Sequence, residues 1–246
     1  MTDIQLDLQQ TRGLSALVAT AARLYRNYFG QFLCLAGVLV VPFEIAWLVT
    51  AGASHSGKLT PHREAQLVVF LIAEFVLIIP LVSALQAHAV LLIGRGEQPR
   101  LGEVFRNSFR VLPTVVAASV VAAIGVVIVL AAGVVVSVIL LIPGIWLLLR
   151  LYVVAQTAAI EGTDWPTTLR RGFAMTRGSS WRILGMLLII AVINLTLNSV
   201  ASATAGSHGG ALLDIVAVVV ALLSQSFSAL LGALLYFDLR VREQFV

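Results

Sequence analysis

The chain has 246 residues, 59% of them hydrophobic and only 11% charged, with a formal net charge of +4. Soluble globular domains carry about one quarter charged residues, so this composition excludes a water-soluble fold that hides its apolar side chains in one core. A mean hydropathy of +0.99 and a pI near 9.8 point to a multi-pass membrane protein. Its basic residues lie between apolar runs, where they meet anionic headgroups, so no nucleic-acid partner is expected.

The opening segment, "MTDIQLDLQQTRG" (1–13), is polar and partly acidic. It lacks the basic start and short apolar stretch of a cleaved signal peptide, which predicts a polar tail and a retained first span. In "LSALVATAARLYRNYF" (14–29), Leu14, Leu17, Val18, Ala21, Tyr25, Tyr28 and Phe29 share one helical face, with Arg23, Arg26 and Asn27 off it. That spacing is the signature of an amphipathic helix. A crossing needs about 20 apolar residues, and the first such run covers about 30–52. It holds Pro42, Glu44 and Cys34, the one cysteine, which allows neither an internal disulfide nor a cysteine-based zinc site. After a loop with Lys58 and Arg63, the second run covers about 66–94 and carries Glu74, Pro80, Gln86 and His88. Pro42 and Pro80 are expected to kink their spans, an accommodation common in membranes.

"LGEVFRNSFRVL" (101–112) repeats the amphipathic pattern, setting Leu101, Val104, Phe105, Phe109 and Leu112 against Glu103, Arg106, Asn107 and Arg110. An interfacial helix is predicted over 100–111. From Leu112 to Ile160 the chain stays apolar for longer than one crossing requires. Pro143 disfavours helix at Ile142, so "LIPG" predicts an outer turn between spans at 112–136 and 138–160, the latter carrying Arg150. A third basic segment predicts an interfacial helix over 165–178. Leu169 and Phe173 form its apolar stripe, Gly172 interrupts it, and Arg170, Arg171, Arg177 and Arg182 supply charge. Spans at 181–203 and 211–237 follow. Asn194 and Asn198 share a face of the first, and Ser224, Ser228 and Gly232 form a ridge on the second, features expected to serve helix packing.

The fold class expected is all-α: a single membrane domain over 1–246, with six transmembrane helices and three cytoplasmic-side interfacial helices. Leu17, Leu101 and Leu169 hold similar places, so the chain reads as three units of elbow helix plus hairpin. Thirteen arginines flank the spans on one side, against Lys58 and Arg63 on the other. This bias predicts that both termini are cytoplasmic. Arg23, Arg26, Arg106, Arg110, Arg170, Arg171, Arg177 and Arg182 are candidate headgroup contacts, unless the interfacial helices merely anchor the bundle.

Ionisable groups within spans are the strongest pointers to function, since each costs about 2.5–3.5 kcal/mol at a helix centre. Glu44, Glu74 and Arg150 stand out. Counting along straight helices at about 1.5 Å per residue puts all three about 10 Å below the outer surface. Arg150 is therefore expected to pair with one or both carboxylates, as a lock on helix register or as a polar site open to the outer side.

The stretches "IPGIW" (142–146), "AAIEG" (158–162) and "TLRRGFAMTRGSSWRILG" (168–185) resemble the glycerophosphoryl diester phosphodiesterase membrane-domain family. Six-span bacterial inner-membrane proteins share this layout. The resemblance covers about residues 140–190, with looser support from the N-terminal helix and first span. Thr168 stands where alanine is usual, and Gly172-Phe173 where Ser-Trp is usual. The resemblance implies location in a bacterial cytoplasmic membrane and implies catalysis only where a separate domain is fused. With the sequence ending at Val246, no such domain is expected. His55, His62, His88 and His208 are scattered, and no metalloprotease helix, Walker loop or nucleophile elbow occurs.

The expected function is accordingly non-catalytic and needs no cofactor: a scaffold, partner subunit or lipid-interacting protein. Its partners would be anionic membrane lipids and another membrane protein or a second copy of the chain. The alternative is a small transporter or permease component using Glu44, Glu74 and Arg150.

Overall fold

The computed structural model describes residues 8, 10–52, 61–136, 146–147, 149–205 and 211–243. All regular structure among them is helical. The elements are α1 (Leu14–Asn27), α2 (Phe29–Gly52), α3 (Pro61–Ala73), a π-helical turn (Glu74–Ile78), α4 (Ile79–Gly94) and α5 (Leu101–Val136). After these come α6 (Val154–Glu161), α7 (Trp165–Met175), α8 (Ser180–Ala205) and α9 (Ala211–Glu243).

Among the described residues, five helical stretches are long and apolar enough to cross a membrane: Phe29–Thr50, Ala65–Gly94, Leu101–Gly125, Ser180–Val200 and Asp214–Glu243. They correspond to five of the six expected spans. The sixth, 138–160, lies partly outside the described residues. Its described remainder is helical as far as Leu151, turns at Tyr152 and Val153, and resumes as the eight-residue α6. Gly162 ends α6 with φ +60°, a left-handed conformation that glycine adopts without strain, and its N–H reaches back to the Ala158 carbonyl.

The three basic amphipathic segments take different forms. Tyr28, at φ −116° and ψ 27°, breaks the chain between α1 and α2. Helix α1 buries Leu17, Ala21 and Leu24 and exposes Arg23 and Arg26. Residues 100–111 do not form a separate interfacial helix. From Leu101 on they are the opening turns of α5, which runs unbroken through Pro113, because a proline removes one backbone donor without having to end the helix when its neighbours hold it. Helix α7 buries Thr168, Gly172 and Met175. At Gly172 it approaches α6 so closely that an added Cβ would meet Val154 Cγ2 at 3.0 Å. The glycine that interrupts the apolar stripe is therefore a point of close packing between α6 and α7.

Pro80 acts through the turn before it. Proline has no N–H and crowds the preceding turn, and here the helix widens into the π turn, with the Ile79 N–H bonded to the Glu74 carbonyl. Helix α9 forms the spine of the core. Leu230, Leu231, Leu234, Leu235, Tyr236 and Leu239 are fully buried, packed with Leu17 and Leu24 of α1, Val90 and Ile93 of α4, and Ile183 and Met186 of α8. Outside the core, Val49 (70% exposed), Leu195 (69%) and Val192 (62%) point away from the protein. A surface this apolar fits hydrocarbon and not water.

Candidate functional site

A cavity of about 800 Å³ is walled by α2, the π turn, α4, α5, α8, α9 and the segment around Tyr152. Asp214 and Ala229 both line it, which at about 1.5 Å per residue makes it about 22 Å long beside α9. Three carboxylates face it: Glu44, Glu74 and Asp214. Four amides do so too: Gln156, Asn194, Asn198 and Gln225. No lysine, arginine or histidine is among the described residues that line it. Val82, Val154, Leu187 and Ile190 supply apolar wall.

The π turn carries Glu74 into this space, and Gln225 Nε2 donates to Glu74 Oε1 at 2.7 Å. Gln225 Oε1 is buried and has no hydrogen-bond partner among the described residues. Glu44, on α2, lines the same space. On α8, Asn194 Nδ2 donates to the Ile190 carbonyl (2.9 Å) and to Ser228 Oγ (3.4 Å), and Asn198 Nδ2 donates to the Asn194 carbonyl (2.8 Å). Ser83, Ser119 and Ser224 are each more than nine-tenths buried, line the cavity, and bond no other described residue. Among the described residues, no three His, Cys, Asp or Glu side chains converge to hold a metal ion.

Arg150 does not join Glu44 and Glu74. It is absent from the cavity wall and forms no ion pair with any described residue. Its guanidinium lies 4.3 Å over the Trp146 ring, a cation–π contact, and Nη1 donates to the Phe173 carbonyl of α7 at 3.0 Å. Its Nε is buried without a hydrogen-bond partner among the described residues. The expected common depth assumed one straight helix through Arg150. The turn at Tyr152 and Val153, and the packing of α7 against this segment, remove that assumption.

The candidate headgroup arginines divide. Arg23, Arg26, Arg106, Arg110, Arg170 and Arg177 are exposed. Arg171 is exposed too but engages Glu161 (3.0 Å) and Glu243 (3.3 Å), and Tyr236 donates to the same Glu161 at 3.2 Å. Arg182 is turned inward. Its Nε lies 2.9 Å from Oδ2 of Asp238, a carboxylate 1% exposed that Arg242 also meets at 2.9 Å. Asp238 Oδ1 accepts the backbone N–H of Arg12 (2.6 Å), and the Arg12 carbonyl accepts from Arg182 and Arg242. This clasp ties the N-terminal approach to α1 onto α8 and α9. Gln86 and His88 bond to neighbouring helices: Gln86 donates to Ser226 of α9 (2.9 Å), and His88 Nδ1 lies 3.2 Å from Ser108 Oγ of α5 and 3.1 Å from the Ala84 carbonyl of its own helix.

Sequence reasoning passed over Asp214, Gln225, Gln156 and Asp238. Gln225 carried a signal as an amide inside an apolar span, and Asp238 carried one in its i,i+4 spacing to Arg242. In comparison with known proteins, no family model matches the chain, and no curated protein and no solved structure matches it. The resemblance of residues 140–190 to the phosphodiesterase membrane-domain family rests on its motifs alone.

Proposed function

We propose that the chain is a non-catalytic solute-binding component of a membrane transport or permease system, with its site in the cavity between α4, α5, α8 and α9. The observation that carries this reading is the cavity itself, about 800 Å³ and lined by three carboxylates and four amides. Ligand sites fall within about 300–1,000 Å³ and combine apolar walls with a few converging polar groups. Ionisable residues inside spans almost always face such a space. Under this reading the basic end of the bundle is cytoplasmic, the cavity faces the outer side, and the membrane is the bacterial cytoplasmic one.

A second reading, a scaffold or partner subunit that recruits anionic lipids, is favoured by the six exposed arginines of α1, α5, α7 and the turn after α7. The two readings differ in whether water reaches the cavity. Cys34 is the one native thiol, so a Cys34→Ser background carrying Ala221→Cys places a single reporter in the wall. Val192→Cys, on the apolar outer face, is the control. A membrane-impermeant thiol reagent is expected to label position 221 and spare position 192. Labelling of neither position until the protein is denatured would leave the scaffold reading standing.

A further inference from the structure

We propose that the cavity selects lipophilic primary or secondary amines in their protonated form, an inference that rests on reading the cavity as a solute site. Charge sets the sign of the ligand. Glu44, Glu74 and Asp214 face the space and no described basic side chain does, so an anionic headgroup or carboxylate would enter against repulsion with nothing to offset it. Geometry argues against a bare divalent ion, because no three of the described acidic or histidine side chains converge on one point. A larger cation, with charge at one end and bulk at the other, fits better.

The hydrogen-bond inventory narrows the class. Gln225, whose Oε1 is buried without a partner among the described residues, gives its N–H to Glu74 and so holds one carboxylate in place at the cavity edge. Carboxylates accept only, so Glu44 and Glu74, which face the space, together ask for several N–H donors. A protonated primary or secondary amine offers them, whereas a quaternary ammonium has none. Beyond this end, Val82, Val154, Leu187 and Ile190 offer apolar wall to a hydrocarbon or aromatic body. The hydroxyls of Ser83, Ser119 and Ser224, which bond no other described residue, can serve a polar substituent on that body.

The test uses the full chain in lipid nanodiscs and three probes of one shape: 3-phenylpropylamine, 3-phenylpropanol and 3-phenylpropanoate. Binding is read by saturation-transfer NMR and calorimetry at neutral pH, where the first is cationic and the last anionic. The amine is expected to bind at least about tenfold more tightly than the alcohol, a difference of about 1.4 kcal/mol, and the carboxylate not at all. Glu74→Gln and Glu44→Gln, which keep shape, should each remove most of the amine's advantage and leave alcohol binding unchanged. N-trimethylation of the amine should weaken binding. Equal binding of amine and alcohol, preference for the carboxylate, or indifference of amine binding to both Gln variants would overturn the proposal. Thiol labelling at position 221 with no amine preference would sink the ligand class and leave the cavity reading intact, whereas a sealed position 221 would remove both.

Discussion

Replacing Asp238 with alanine removes the one carboxylate at the centre of the clasp that joins Arg12, Arg182 and Arg242. Breaking a fully buried ion pair costs about 3–5 kcal/mol. The carboxylate here is 1% exposed, but Arg182 keeps 18% and Arg242 37% of its side-chain surface, so water partly recovers the arginines. The lower end, about 3 kcal/mol, is the expected loss for Asp238→Ala. Asp238→Asn retains an acceptor for the Arg12 N–H and should lose about 2 kcal/mol, the scale of hydrogen bonds to a charged group. Arg242 is more than one third exposed, so Arg242→Ala should lose no more than about 0.5 kcal/mol. Reversible unfolding of the full chain in mixed micelles, followed by far-UV circular dichroism, reads these differences. A double-mutant cycle should then couple Asp238 to Arg182 more strongly than to Arg242. An Asp238→Ala protein within about 0.5 kcal/mol of the parent, the range of an ordinary surface change, would refute the clasp.

Three further outcomes follow from the packing. Gly172→Val adds atoms where even a Cβ would lie 3.0 Å from Val154 Cγ2. It should destabilise by about 2 kcal/mol through overpacking between α6 and α7, and a variant as stable as the parent would show that the two helices do not touch there. Leu234→Ala, at a side chain 1% exposed in the α9 spine, should cost about 3 kcal/mol in the same unfolding measurement. Arg150→Ala and Glu74→Gln should be additive within about 0.5 kcal/mol, as for sites without shared partners. Coupling above 1 kcal/mol in that cycle would restore the direct pairing that the contact of Arg150 with Phe173 replaces.

The apolar runs made five membrane-length helices legible because hydrophobic length is a local property, read residue by residue from 30–52, 66–94, 112–136, 181–203 and 211–237. Boundaries that depend on neighbours were less legible. Arg106 and Arg110 belong to the start of α5 and not to a separate helix, since nothing local to Pro113 says whether surrounding helices will hold the backbone straight. The candidate site was half visible. Glu44 and Glu74 were marked by their cost within a span, and both line the cavity. Arg150 carries the same cost within an apolar run, yet its partners come from Trp146 and from α7, which only a three-dimensional path places beside it. Asn194, Asn198, Ser224 and Ser228 were seen as small or polar residues suited to packing. They also line the cavity, a consequence of α8 packing on α9 while α9 packs on α4. Asp238 is not legible as a buried group because an acidic residue near a span's end looks solvated in sequence, while in the fold it lies under Arg182 and Arg242.

The central claim is that open space, and not side-chain packing, separates Glu44, Glu74 and Asp214 from the apolar wall of α8. A cryo-electron microscopy map of the full chain in lipid nanodiscs, at a resolution that shows side chains, tests it most directly. The expected map contains a continuous region of about 800 Å³ free of protein density, with Glu74 and Gln225 at its edge. A map in which protein side chains fill that region would contradict the account.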